Sequence, residues 1–297
     1  MEISSLRRKS NIWGWIISIP AAIGILIFTV YPVVYSLYLS FTDCGYVPEG
    51  LSFVGLDNYK WIFTDQSLFF ESLGLSLTFT ILSTAIQTVL GFFMAYMLYS
   101  LKGKLQGFFR VILYLPNILP TAAAAVMWVN FFEPNYGMLD MLFQAVGLEP
   151  VQVWLTEGHD KLQLFCVILV NTWKHVGLTM LIYFVAMNAI NKEILESAQV
   201  DGANRLAVVT RIILPVTWYT TGINVLLSMI GGLKSYDLFM LLFDKTTISM
   251  NVVGLYIYNT AFTDQNYGRA TAMSILLAVI ISILIVVVNK VMKEKDA

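Results

Sequence analysis

The residues that could do chemistry are few, and their placement excludes most of it. Only two histidines occur, His159 and His175, and no HExxH or Cys/His grouping surrounds either. Cys44 and Cys166 lie far apart without CxxC spacing, so neither a disulfide nor a metal site is favoured. The single Gly-Lys pair, Gly103-Lys104, has no Gly five residues before it and is followed by Leu105. The phosphate-cradling GxxxxGK[ST] loop is therefore absent, and the chain is expected to bind no cofactor of its own. No nucleophile pairs with a base, which argues against an enzyme.

What remains is a set of polar groups in apolar surroundings. Asn171, Trp173, Lys174 and His175 fall within one long apolar run, and Ser228, Gly231, Gly232, Lys234, Ser235 and Asp237 toward the end of another. A charge at a bilayer centre is costly, so such residues face a cavity or a partner. Two arrangements satisfy the first group. Either it lines a wet pathway to which Trp173 adds an aromatic face, or Lys174 pairs with a neighbouring carboxylate or carbonyl while Trp173 packs. For the second group, small residues let helices approach closely, so packing is the plain reading.

The elements that must position these groups are membrane helices. Of 297 residues, 58% are hydrophobic and 12% charged, with mean hydropathy +0.72, whereas a soluble domain carries about 25% charged residues. The net charge of −1 argues against a nucleic-acid partner. Six runs are long enough to span a bilayer, which takes about 20 apolar residues: 13–39, 73–99, 109–132, 162–188, 216–236 and 270–289. The first follows Arg7-Arg8-Lys9 but continues to Leu39, far past a signal-peptide core of roughly 7–15 residues; it reads as an uncleaved span. The expected fold class is all-α: a polytopic membrane protein with six transmembrane helices in one domain covering 1–297.

Positive charge orients the spans. With the N-terminus inside, inner segments hold Arg7, Arg8, Lys9, Lys102, Lys104, Arg110, Lys192, Arg205, Arg211, Lys290, Lys293 and Lys295. Outer loops hold Lys60, Lys161, Lys245 and Arg269. Twelve against four predicts that both termini are cytoplasmic.

On the predicted cytoplasmic side, between the fourth and fifth runs, lies a charged loop at about 191–215. Ile194, Leu195 and Ala198 share one face of a short helix, with Lys192, Glu193 and Glu196 toward the other. Asp201-Gly202 interrupts it, Gly supplying the turn and Asp a cap for a second helix. Pro215 suits the first turn of the next span. The result is a stubby exposed helix at a fixed angle to the fifth span.

The loop reads Glu196-Ser197-Ala198, then Gly202 four residues on, then nine residues before Ile212-Ile213-Leu214-Pro215. This spacing resembles the "EAA" loop of ABC-importer permeases, with Ser197 in place of the middle Ala. The resemblance, to the maltose/glycerol-phosphate group, covers nearly the whole chain. It includes Tyr31-Pro32, the stretch Phe53-Val54-Gly55-Leu56-Asp57-Asn58-Tyr59, Phe109-Arg110 through Leu115-Pro116, Trp128 and Gly137. Trp173 stands 23 residues before Glu196, and Gly268-Arg269-Ala270 opens the last run. The fifth-to-sixth loop departs from the group's Gly-Gly-Pro, reading Phe243 through Met250 instead.

The resemblance implies a type I ABC-importer permease fold in a bacterial or archaeal plasma membrane. It further implies a second homologous permease subunit, two ATPase subunits that hold ATP and Mg, an extracellular or periplasmic solute-binding protein, and a sugar or oligosaccharide substrate. Glu196, Ser197, Ala198, Asp201, Gly202, Ala203, Arg211, Leu214 and Pro215 would couple to the ATPase, Glu196 through a salt bridge and Gly202 by letting the helix seat. Aligned on Leu214-Pro215, Ser228, Gly231, Gly232 and Ser235 would line the substrate pathway, joining Asn171, Trp173, Lys174 and His175 from the polar reading above. A self-contained secondary transporter or channel is the alternative. It would want ionisable residues through several spans and inverted repeats, and the first, second and sixth runs carry none in their cores.

Overall fold

The computed structural model describes residues 17–45, 51–64, 66–134, 136–149, 153–156, 158–243 and 250–293. Arg7, Arg8, Lys9, Lys245, Lys295, the first residues of the first predicted span and most of the 243–250 loop lie outside them. In chain order the helices are α1 (Ile17–Leu39), α2 (Asp57–Ile62), α3 (Phe69–Ser100), α4 (Gly103–Ile118), α5 (Thr121–Phe131), α6 (Met138–Ala145) and α7 (Asp160–Asn188). They continue with α8 (Lys192–Val200), α9 (Arg205–Val216), α10 (Trp218–Leu233), α11 (Asp237–Leu242), α12 (Val253–Phe262) and α13 (Tyr267–Lys293). One isolated antiparallel bridge joins Thr42 to Phe53.

Four helices are long and apolar enough to cross a membrane alone: α1, α3, α7 and α13. Among the described residues two bent pairs, α4 with α5 at 94° and α9 with α10 at 63°, meet the same criterion only when each pair is joined. The third predicted span is therefore broken rather than continuous. Leu119 is extended, with ψ 135°, because Pro120 disfavours helical geometry in the residue before it. The fifth begins at Trp218 rather than Val216 and ends at Leu233, so Lys234 caps the helix instead of lying within it. Pro215 stands just before the bend, not in the first turn of α10.

Two proline sites share a local solution. Pro has no N–H and its ring crowds the carbonyl four residues back. Residues Leu26–Val30 and Val209–Ile213 are π-helical, and the N–H of Tyr31 and of Leu214 reaches back five residues, to the Leu26 and Val209 carbonyls. The wider turn makes room immediately before Pro32 and Pro215. At Thr217 the side chain also bonds back to the Ile213 carbonyl, 2.8 Å, a habit that bends helices.

The chain divides into two compact units, Met1–Ser67 with Ile257–Ala278, and Leu68–Tyr256 with Val279–Ala297. In the first, buried Asn58 donates from Nδ2 to the carbonyls of Ser40, 3.0 Å, and Thr42, 2.9 Å. A Cβ at Gly268 would collide with that Thr42 carbonyl, and Arg269 lies over the Trp61 ring at 4.4 Å. The Phe53–Tyr59 stretch and Gly268-Arg269 are thus one latch.

In the second unit α3 packs along α7 and α10, and α4 along α7. Missing side chains permit the approach. A Cβ on Gly91 would stand 2.6 Å from Thr179 Cγ2, one on Gly232 2.6 Å from Thr80 Oγ1, and one on Gly177 would overlap the Leu113 carbonyl. Phe79, Cys166, Val167, Val170 and Phe239 belong to one apolar cluster. Phe92, Leu98, Met180, Tyr183, Met187 and Ile213 belong to another. The stretch of α3 and α7 between these clusters is polar.

Gly177→Ala should destabilise the α4–α7 packing by roughly 1–3 kcal/mol, since overpacking into backbone has no flexible neighbour to yield. A lowered thermal midpoint of the detergent-solubilised protein, set beside an unchanged one for Gly231→Ala, is the expected result.

Candidate functional site

The polar stretch opens into a cavity of about 290 Å³ walled by α3, α7 and α10, with the first residues of α5 and α11 and the turn after α10, near the lower end of the ~300–1,000 Å³ usual for small-molecule sites. From α7 it takes Asn171, Lys174, His175, Leu178, Thr179 and Ile182, and from α10 Asn224, Leu227, Ser228, Gly231, Gly232 and, just past its end, Ser235. Both sets run i, i+3, i+4, i+7, i+8, i+11, one stripe of a helix. Gln87 and Thr121 join them.

Seven of the eight predicted pathway residues therefore meet in one place. Trp173 does not. It sits off the stripe, and its ring meets Trp128 edge-on at 5.6 Å between centroids, so it packs and offers no face to the cavity. Gln87, Thr121, Thr179 and Leu227 were not predicted; extending the i+3/i+4 stripe from Asn171 and Ser228 finds those on α7 and α10.

Lys174 is the middle residue of α7 and only 7% exposed. Its Nζ donates to the Leu119 carbonyl at 3.0 Å, at the break between α4 and α5. The carbonyl alternative for Lys174 is thus realised, yet Lys174 also lines the cavity. His175 Nδ1 lies 3.3 Å from Asn117 Oδ1, and Ser228 Oγ donates to Gln87 Oε1 at 3.3 Å. Gly232 is filled by Thr80, whereas a Cβ on Gly231 would meet nothing within 4 Å. Among the described residues no group of His, Cys, Asp or Glu could hold a metal.

The loop is the second site. Asn191 caps α8 by accepting from the Glu193 N–H at 3.0 Å. Its other end closes on Gly202, at φ +79°, with Ala203 N–H to the Ala198 carbonyl at 2.9 Å and Gly202 N–H to the Gln199 carbonyl at 3.1 Å. This is the paired Schellman closure that glycine favours. Asp201 is therefore the C-cap of α8 and not the cap of the next helix; Asn204 takes that role, accepting from Ala207 N–H at 2.8 Å. Leu195 packs against the cluster around Phe92 and Ile213. Glu196, Ser197, Asp201, Gly202, Arg211, Leu214 and Pro215 are exposed, and Ala198 and Ala203 half-buried. Ile194 departs from the predicted shared face and is exposed, as are Val200 and Leu206.

The family model for binding-protein-dependent transport system inner membrane components matches residues 87–293. The chain belongs to that family. A probable ABC transporter permease of Pyrococcus horikoshii is 31% identical, over 90% of this chain and 91% of the relative. The multiple sugar-binding transport system permease MsmF of Streptococcus mutans is 28% identical, over 98% and 99%. A bacterial ABC transporter that imports the acidic polysaccharide alginate matches in its crystal structure with TM-score 0.84 and 26% identity, over 98% of both chains. Its complex with an alginate pentasaccharide-bound periplasmic protein matches with TM-score 0.83 and 26% identity, over 97% of this chain and 95% of the other. The fold is accordingly the all-α, type I ABC-importer permease fold. The chain is a multi-pass membrane transport component and not an enzyme.

The two glycines differ in what an added side chain would meet. Gly231→Val should leave complex yield near wild type while altering the relative uptake of large and small substrates. Gly232→Val should lower the yield itself, because its side chain needs the space of Thr80. Purified complex per cell and competition uptake, measured together, check both.

Proposed function

We propose that this chain is the permease subunit of an ATP-driven importer for a sugar or oligosaccharide, with the cavity between α3, α7 and α10 as its share of the pathway. A solute-binding protein delivers the substrate from outside, and a second homologous permease completes the path. Two ATPase subunits hold ATP and Mg and grip the Glu196–Pro215 loop. The saccharide class is supported by what the Streptococcus mutans permease and the alginate importer are named for. The docked periplasmic protein on the latter supports the delivery step.

The observation that carries the coupling is how α8 is mounted. Its outer side presents Glu196 and Ser197, while Leu195 shares a cluster with Val208, Val209 and Ile213 of α9, Phe92 and Leu98 of α3, and Met180 and Tyr183 of α7. Close-packed side chains transmit displacement because they cannot compress. Force on α8 thus reaches the helices that wall the cavity. α9 adds a covalent route into α10.

Gly202→Val forces a β-branched residue into left-handed geometry, and Glu196→Lys reverses the charge offered outward. Each is expected to abolish uptake in cells while the complex still inserts and the binding protein still docks. Uptake surviving both changes would remove the loop as the transmission element.

The orientation is tested separately. Single cysteines at Lys104 and Asn204, both exposed, should be shielded from an impermeant thiol reagent in intact cells, and cysteines at Asp57 and Lys161 should react. The reverse pattern would invert the topology.

A further inference from the structure

The cavity of the proposed pathway holds a buried cation, Lys174, that makes no ion pair among the described residues. Lys174 stands at the middle of a 29-residue membrane helix and is almost wholly buried. An ammonium has three N–H donors; one goes to the Leu119 carbonyl. The ion pair found among the described residues, Lys60 with Asp57, lies elsewhere, on α2. A buried charge that meets only a neutral acceptor is expensive, and such charges are ordinarily paired.

The rest of the lining does not neutralise it. Among the described lining residues Lys234, at the end of α10, adds a second ammonium against a single carboxylate, Asp237, so two positive charges face one negative. His175 faces Asn117. With Trp173 turned onto Trp128, the lining holds no Trp, Tyr or Phe on which a neutral sugar ring could stack. What it offers instead is hydroxyl and amide groups around a surplus positive charge.

We propose that the saccharide passing through this cavity is anionic, a uronic acid or a sugar phosphate, and that Lys174 receives its charge. The inference rests on the proposed saccharide pathway and adds the charge of the cargo. Neutral hydroxyls of the same ligand would meet Asn171, Thr121 and Ser235. The Leu119 carbonyl holds the ammonium in place between passages, so the site is set before the anion arrives.

The test uses the complete importer in proteoliposomes, with its binding protein at saturating concentration. The probes are an oligouronide, the same oligosaccharide after carboxyl reduction, and a hexose phosphate. The readout is the ratio of acidic to neutral uptake. Wild type should favour one of the acidic probes, the oligouronide and the phosphate telling the two sources apart. Lys174→Gln, which keeps a donor for Leu119, should lower the acidic-to-neutral ratio by roughly tenfold or more, as loss of a charge-assisted hydrogen bond predicts, and Lys174→Arg should restore most of it. Should Lys174→Gln fail to assemble, the less buried Lys234→Gln carries the test and should lower the ratio in the same direction. An unchanged ratio in the assembled variant, or wild type that moves only the neutral probe, overturns the charge assignment while leaving the saccharide pathway standing. Uptake of none of the three probes, with the binding protein shown to bind them, overturns the pathway and this inference together.

Discussion

The hydrogen bond from Lys174 Nζ to the Leu119 carbonyl, 3.0 Å long, joins two features that a membrane would each penalise alone. A break in a spanning helix frees backbone carbonyls, and lipid offers nothing to satisfy them. A lysine at the middle of a spanning helix brings a charge into the same medium. Here the break supplies the acceptor and the lysine the donor, a bond to a charged group contributing about 1.5–3 kcal/mol. Lysine also suits the negative end of the α4 dipole. The close contact of Gly177 with the Leu113 backbone brings α4 near enough for the side chain to reach. Gly177 lies three residues beyond Lys174, on a neighbouring turn of α7. The geometry of the cavity follows from that approach.

Polar and apolar layers alternate along the second unit for the same reason. Phe79 and Phe239 pack edge to face at 4.9 Å on one side of the cavity, and Phe92 and Tyr183 do so at 5.5 Å on the other. Between them α3 contributes Gln87 and α10 contributes Ser228, bonded to each other. Two apolar clusters flank the polar layer, and the close contacts at Gly91, Gly177 and Gly232 set how near its helices come. The Tyr183 hydroxyl, which donates to Thr221 Oγ1 at 2.8 Å, ties the lower cluster to α10.

Much of this was legible in residue order. The spans announce themselves because a bilayer requires long apolar runs, and all six predicted runs correspond to a helix or a bent pair. The breaks were less visible only because apolarity continues across them. Pro120 and Pro215 marked both, and the rule that the residue before proline turns extended places the first at Leu119. The cavity stripe was present as a 3.6-residue period, which also excludes Trp173, since adjacent residues on a helix point about 100° apart. What residue order could not give was the partner of each polar group. That Lys174 finds a backbone carbonyl 55 residues away, and that Gly232 is filled while Gly231 is open, depend on how helices face one another. Asp201 and Asn204 were equally plausible caps by type; the Schellman closure on Gly202 decided between them.

The π-helical segment at Val209–Ile213 has a mechanical meaning. A π turn takes in one residue more than an α turn, and each α-helical residue advances about 1.5 Å. The connection between the loop helix and the cavity wall therefore stores a residue's worth of slack, kept in place by a proline that cannot bond back to Arg211. A rod without such a reserve can only tilt when it is pushed at one end. This one can also shift its hydrogen-bond register, so under the proposed coupling a pull at the loop need not reach α10, whose stripe from Asn224 to Ser235 lines the cavity, as tilt alone.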